Sequence, residues 1–357
     1  MTDSTTLPKK MKAAIATGFG DIDKNIQVVE DWPVPTLKAK DDILVKVSAC
    51  ALAPGDVRVL SGKTDWIQLP KGGHPYVVGG DLSGVVISSN SKKFNPGDYV
   101  VSRFELPGPS GALGEYKVVK ESLTEHCPES IDPIQSCGLT ASTMAAKKIV
   151  DQCVNKGDRV LVIGGSGAVG SSVLQYAKIA GAAHIVAVSS QEDLCKSLGA
   201  DSVIDYRNQN WWQMPEYQTD PFDVAIDLVG GENWEQGGCS GAAIKRKGIY
   251  VALPPGVQSE IELHGCWGLV SLSFQWLWLV LWTTLHPKVP RNVMPDGLDL
   301  RDGDLREMLN DVVEGRIKPV LDPSGPFEFN NDSVREAFHL QGSKHAHGKV
   351  VVKIADA

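Results

Sequence analysis

The chain has 357 residues, with 35 Lys and Arg against 43 Asp and Glu, a formal net charge of −8 at pH 7, 42% hydrophobic residues and 22% charged residues. That length accommodates about two domains, each with its own core, and the composition is that of an ordinary globular protein. The acidic balance, with no basic run longer than KRK at 245–247, repels a phosphate backbone and excludes nucleic acid as a main partner.

The opening MTDSTTLPKK lacks the apolar core of a secretory leader, so the cytoplasm is the expected compartment. MKAAIA (11–16), DILVKVSA (42–49), LSGVVIS (82–88), DYVVSRF (98–104) and EYKVV (115–119) are short apolar runs, separated by turn clusters such as KFNPGD and LPGPSG. They predict a small, mostly antiparallel β domain. From about residue 140 the rhythm changes. RVLVIG reads as a strand, and Val169, Val173, Tyr176, Ala177 and Ala180 then share one helical face that stops at Gly181. HIVAVSS, DSVIDY, FDVAIDLVG and GIYVALPP follow as strands, with a short helix in QEDLCKSLGA. Strands alternating with helices predict a parallel sheet.

The stretch CWGLVSLSFQWLWLVLWTTL, 266–285, has no charged residue over 20 positions, about the length of a bilayer span. Trp276, Trp278, Val280 and Trp282 alternate with Leu277, Leu279 and Leu281, and Ser271, Ser273, Gln275, Thr283 and Thr284 interrupt the run. The expectation is therefore a buried or edge strand, or a subunit interface, ahead of a span. DLREMLNDVVEGRI then predicts a helix ending near Gly315, and HGKVVVKI a last strand that pairs back with the first domain. Seven dispersed cysteines with no C-x-x-C pair read as reduced thiols.

The segment GGSGAVGSS, 164–172, fits two phosphate-binding patterns. Gly165, Gly167 and Gly170 give G-x-G-x-x-G. Gly165 to Ser172 also gives a P-loop in all but its lysine, where Ser171 stands. Ser171 cannot replace an ammonium on a γ-phosphate, whereas a strand before the glycines and a helix after them are the setting of a dinucleotide loop. Backbone of Gly165, Ser166, Gly167, Ala168, Val169 and Gly170 is expected to hold a pyrophosphate. At the end of the second strand an acid would select NAD; Ser189 and Ser190 stand there, with Tyr206 and Arg207 in reach, and favour the 2′-phosphate of NADP. Glu192 and Asp193 fit the first turn of the following helix instead.

In chain order, MKAAIATGFG, ILVKVSACALAPGDVRVLSG, VVGGDLSGVV, NPGDYV, GALGEYKVV, CGLTA, GGSGAVGSSVLQYAK, LGADSVIDY, FDVAIDLVGG, GRIKPVLD and HAHGKVVVKI resemble the medium-chain dehydrogenase/reductase superfamily along nearly the whole chain. The match is nearest to its zinc-free quinone oxidoreductase and enoyl-reductase-like branch. The resemblance implies an α/β protein. A GroES-like β-rich catalytic domain (1–135 and 287–357) would be interrupted by a Rossmann domain with a doubly wound parallel sheet (136–286), with the site in the cleft between them and a homodimer as the assembly.

The zinc branch's catalytic cysteine would fall at Ala53, its G-H-E motif on Gly79, Gly80 and Asp81, and no cysteine lies between 50 and 127 to build a structural zinc lobe. His126–Cys127 and His345/His347 lack the spacing of a site, so no metal is expected. In the zinc-free branch NADPH delivers hydride to a quinone or to the β-carbon of an alkene conjugated to a carbonyl. By the same resemblance Asp56 lies near the substrate and Thr140 on the nicotinamide side. Val229, Gly348 and Lys349 contact the cofactor, and Tyr116 is structural. Asp56 reads equally as a helix-capping acid. No tyrosine is placed as a proton donor, so water is the expected proton source. The alternative reading is a cofactor-binding, membrane-peripheral or interaction protein, suggested by Ala53 in place of the branch's Asn and by the tryptophan-rich run.

Overall fold

The computed structural model describes residues 7–62, 72–104, 111–239, 242–252, 270, 273–274, 277–278, 281, 283, 285, 291–293 and 304–355. The described chain divides into two compact units, residues 1–141, 305–313 and 321–357, and residues 142–304 and 314–320.

In the first unit the strands are β1 (Lys10–Ala16), β2 (Ile26–Pro33), β3 (Asp42–Ala51), β4 (Tyr76–Val77), β5 (Asp81–Ser89), β6 (Tyr99–Ser102), β7 (Tyr116–Lys120) and β8 (Thr124–His126). They are almost wholly antiparallel, as the short alternating runs predict. β3 is the central member. Its apolar positions are buried along its length, and it pairs with β5, β7 and the C-terminal strand. Ile43, Val45, Val47, Leu82, Val100 and Phe338 fill the core beneath it.

The second unit carries β9 (Arg159–Ile163), β10 (His184–Val188), β11 (Ser202–Ile204), β12 (Phe222–Asp227), β13 (Ile244–Ala252) and β14 (Arg291–Val293) in one parallel sheet of order β11-β10-β9-β12-β13-β14. β9 and β10 are apolar on both faces because the sheet is covered on both, which is why their sequences read as unbroken hydrophobic runs. The helix Gly170–Ile179 returns from β9, and Gly181, at φ +80°, ends its turn in a conformation that favours glycine. The chain closes in the first unit with β15 (Phe327–Glu328) and β16 (Val351–Lys353), the latter antiparallel to β3.

Three expectations need correction. The second crossover between units comes later than 286/287: Arg291–Val293 extends the parallel sheet beside β13, so this segment belongs to the second unit. The first comes later than 135/136, since residues up to Ala141 cluster with the first unit. In the 266–285 run the described residues, Val270, Ser273, Phe274, Leu277, Trp278, Leu281, Thr283 and Leu285, are helical and not strand. When both faces of a segment are apolar, two-residue alternation of Trp with Leu carries no information about period.

Candidate active site

The glycine loop occupies the turn from β9 into the helix Gly170–Ile179. The N–H groups of Gly164 and Gly165 donate to the Val188 carbonyl at 3.0 and 3.3 Å, which ties the loop to the end of β10. Gly164 has φ +84°. A Cβ at Gly170 would lie 2.1 Å from the Gly164 carbonyl oxygen, and one at Gly165 would lie 2.9 Å from Ala187 Cβ. Both positions hold glycine because helix and strand approach too closely for a side chain. A Cβ at Gly167 meets only the Gly164 oxygen, at 3.5 Å, so backbone there is open to an incoming group. No side chain caps the helix at Val169; Ser171 N and Ser172 N donate to the Gly167 and Val169 carbonyls within the turn, and the uncapped positive end of the helix dipole faces an incoming anion. Ser171, where a P-loop has lysine, is buried and donates to the Ala168 carbonyl at 3.3 Å. This cradle fits a pyrophosphate.

At the end of β10 the two serines differ. Ser189 is buried; its hydroxyl donates to Ser166 Oγ at 2.8 Å and accepts from Gln191 N at 3.0 Å, so it braces the loop from behind. Ser190 is half-buried and Tyr206 is exposed. Arg207 is held in bidentate fashion by Asp205, with N–O distances of 2.6 and 2.9 Å. Glu192 and Asp193 occupy the first turn of the helix Glu192–Ser197, and Glu192 bonds Lys196 one turn on at 2.6 Å. Val229 packs on the loop: a Cβ at Gly164 would lie 2.9 Å from its Cγ2. Asp227, absent from the sequence reading, fixes that turn. Its Oδ1 accepts from Val229 N and Gly230 N, and its Oδ2 from the Tyr250 hydroxyl at 2.7 Å. Burial, reinforced by Asp227, pushes the Tyr250 phenol well above its ordinary range, so it stays a donor.

In the first unit a second polar cluster surrounds Asp81, which is fully buried. Its carboxylate accepts from Lys349 Nζ at 3.2 Å, from Thr140 Oγ1, and from Phe104 N at 2.9 Å. Lys349 is 3% exposed and Thr140 fully buried, so the two residues that the resemblance assigned to the cofactor side meet on one carboxylate. Gly348 precedes Lys349 at φ +100°. The sequence gives little sign of the Lys349–Asp81 pair because its members are 268 positions apart. Asp56 sits in the first turn of the helix Pro54–Leu60. Its Oδ2 accepts from Ala53 N at 2.8 Å, so the capping role exists. Among the described residues no side chain or backbone N–H bonds its Oδ1 as Ala53 N bonds Oδ2. Desolvation is the largest influence on Asp56 and pushes its pKa up to about 7, against the backbone bond and Lys349, which lower it.

A Cβ at Gly80, the position where the zinc branch has histidine, would lie 3.1 Å from the Ala51 carbonyl and 3.3 Å from Asp56 Oδ2. Among the described residues no group of three or more His, Cys, Asp or Glu side chains is placed to hold a metal ion. Cys50 and Cys137 are buried, and burial holds their thiols far above the ordinary value, which makes them unreactive. Tyr116, half-buried on β7, forms part of the wall around Met11 and Ile15.

An antiparallel β unit and a parallel sheet with a dinucleotide loop at its centre define a two-unit nucleotide-dependent oxidoreductase. The comparisons narrow that class. Residues 39–150 match the alcohol dehydrogenase GroES-like domain and residues 198–352 match a domain described as zinc-binding dehydrogenase. The chain is 33% identical over 371 aligned positions to the NADPH-dependent alkenal/one oxidoreductase of Arabidopsis thaliana chloroplasts, covering 99% of this chain and 82% of that protein. It is 32% identical to the 2-methylene-furan-3-one reductase of Solanum lycopersicum, covering 98% and 80%. Among solved structures, the quinone oxidoreductase of Coxiella burnetii superposes with a TM-score of 0.74 at 24% identity, covering 96% of this chain and 99% of that one. The chain belongs to the medium-chain dehydrogenase/reductase superfamily, in its zinc-independent quinone and enone oxidoreductase branch.

Proposed function

We propose that the protein is an NADPH-dependent reductase that transfers hydride, without zinc, to a quinone or to the β-carbon of an alkene conjugated to a carbonyl. The observation that carries the reading is the glycine loop braced by Ser189, together with a strand end that presents Ser190 where an NAD-selective enzyme has an acid. Likeness over nearly the whole chain to an alkenal/one oxidoreductase and a furanone reductase supports the acceptor class.

In this reading the backbone from Gly165 to Gly170 holds the pyrophosphate, and Ser190 and Tyr206 meet the 2′-phosphate. Val229 supports the loop from the neighbouring turn. When bound, the nicotinamide supplies the hydride. The chain then has to orient the acceptor and handle one proton. Asp56 Oδ1 is the oxygen that can carry that proton, since Oδ2 is engaged by Ala53 N and the carboxyl is near half-protonated at neutral pH. Asp81, paired with Lys349 and accepting a hydrogen bond from Thr140, fixes the wall beside it.

The test is a steady-state assay of purified protein with NADPH or NADH and a panel of quinones, enals and enones. The expected result is acceptor-dependent oxidation of NADPH with NADH at least tenfold poorer in kcat/KM, a difference of about 1.4 kcal/mol. Tight NADPH binding with no turnover of any acceptor would overturn the reading in favour of a cofactor-binding protein without catalytic activity.

A further inference from the structure

The turn after β12, residues 228–231, is held more tightly than its exposure calls for. Gly230 and Gly231 take φ +76° and +72°, and Val229 stands 64% exposed just beyond the strand. An exposed turn of this kind is ordinarily free to move. Here both polar groups of Gly230 are engaged. Its N–H donates to Asp227 Oδ1 at 2.8 Å, and its carbonyl accepts from Asn233 Nδ2 at 2.8 Å. Each of those side chains is braced from behind: Asp227 accepts from the Tyr250 hydroxyl at 2.7 Å, and Asn233 Oδ1 accepts from Trp211 Nε1 at 3.0 Å. The two aromatic donors are themselves wedged. Trp211 is 1% exposed and so close to the short, wide helix Asn233–Gly238 that a Cβ at Gly237 would sit 2.2 Å from its ring. Tyr250 is fully buried and meets Trp234 edge to face, with ring centres 4.9 Å apart.

The sheet order indicates what the turn is held for. The glycine loop lies at the end of β9, with β10 on one side of that strand and β12 on the other. The chain order reverses between β9 and β12, and in a sheet of this kind a ligand lies across the strand ends at that reversal. A dinucleotide with its pyrophosphate on the β9 loop and its 2′-phosphate at Ser190, beyond β10, must run its nicotinamide half over the end of β12. The turn at 228–231 is the backbone met there. Leu228 N donates to the Ile163 carbonyl at 3.1 Å, and a Cβ at Gly164 would lie 2.9 Å from Val229 Cγ2, so the turn abuts the loop. Val229 offers an apolar surface suited to one face of a ring. The height of that ring sets the distance of hydride transfer, and an error of about 1 Å can cost about a hundredfold in rate.

We propose that Asn233 and Trp211, together with Asp227 and Tyr250, are positioning residues for hydride transfer: they fix the turn so that Val229 carries the nicotinamide half of the dinucleotide at a set height over the end of β12. None of the four has to touch the cofactor. The inference rests on the reading of the glycine loop as a dinucleotide site, and adds to it the residues that hold the reacting ring.

The experiment is calorimetric titration of the full-length protein with NADPH and with adenosine 2′,5′-bisphosphate, the half of the cofactor without nicotinamide, alongside kcat with the best acceptor of the panel above. Asn233→Asp keeps the shape and the acceptor for Trp211 but removes the donor to the Gly230 carbonyl. Tyr250→Phe and Trp211→Phe each remove one donor and keep an aromatic ring in place. Each variant is expected to bind NADPH about tenfold more weakly and the bisphosphate within about twofold of wild type. At saturating NADPH, kcat is expected to fall about tenfold or more. Binding of the bisphosphate also reports that the unit is folded. Equal loss of both ligands would overturn the proposal, because the four residues would then hold the unit together and not the ring. So would variants that bind NADPH and turn over as wild type does. Wild type that binds the bisphosphate as tightly as NADPH would overturn the proposal and leave the loop reading standing. Wild type that binds neither ligand would overturn the loop reading and the proposal with it.

Discussion

Asp56 holds its proton for a reason that can be measured. Its folded pKa of about 7 stands above the ordinary 3.8 because burial disfavours the carboxylate. Between about pH 4 and pH 7 the folded state therefore binds more protons than the unfolded chain, and the contribution of this group to stability falls as pH rises through that window. Asp56→Asn removes the titration while leaving an oxygen to accept from Ala53 N. The variant is expected to melt higher than wild type at pH 8 and at the same temperature at pH 4. If Oδ1 delivers the proton, its kcat also falls about a hundredfold and the alkaline limb of the rate profile flattens. Asp81 is fully buried and paired with Lys349 at 3.2 Å. Lys349→Met leaves a buried carboxylate with Thr140 and Phe104 N only, and is expected to cost about 3–5 kcal/mol of stability by denaturant titration. Adding Asp81→Asn to it is expected to restore a good part of that loss, because no uncompensated charge then remains.

The loop between β9 and its helix shows how far spacing determines geometry. Gly170 and Gly167 look alike in the sequence, yet a Cβ at the first would sit 2.1 Å from a backbone oxygen and at the second 3.5 Å. Gly170→Ala is therefore expected to push helix from strand and lower NADPH affinity by at least a hundredfold in a fluorescence titration, about 2.7 kcal/mol. Gly167→Ala is expected to fold with wild-type stability and to weaken binding only where the ligand approaches that backbone. The same contrast marks what the sequence could convey. Strands β1, β3, β5, β9, β10 and β12 were legible because each is an apolar run bounded by turn residues, and the glycine loop because its function requires a fixed spacing. The helices Thr140–Cys153 and Asn331–Ser343 and the strand Ile26–Pro33 were not, since their polar and apolar residues mix without a sharp period. Asp81 on β5 and Lys349 just before β16 are brought together by the pairing of both strands with β3, and Thr140 joins them from the start of its helix, so no local pattern records the meeting. Ser189 was legible in position but not in role: its distance to Ser166 depends on how tightly the loop closes on β10.

At the scale of the chain, each unit has its own core, and the dinucleotide loop with every side chain that braces it lies in the second. A ligand that binds only the folded loop stabilises that unit by RT ln(1 + [L]/Kd), about 2.7 kcal/mol at a hundredfold excess over Kd. For a domain of this size about 1 kcal/mol moves the midpoint by 2–4 °C, so NADPH at that excess is expected to raise it by about 5–10 °C. NADH at the same concentration, without the phosphate that Ser190 and Tyr206 would meet, is expected to raise it by less. Ser190→Asp reverses the order, because a carboxylate there repels the 2′-phosphate and accepts from the two ribose hydroxyls of NADH instead. The variant also separates two causes of a null result. If neither nucleotide shifts wild type but NADH shifts Ser190→Asp, the loop binds pyrophosphate and the preference at the end of β10 has been misassigned. If neither protein responds to either nucleotide, the cradle at Gly165–Gly170 binds no dinucleotide, and hydride chemistry is excluded along with it.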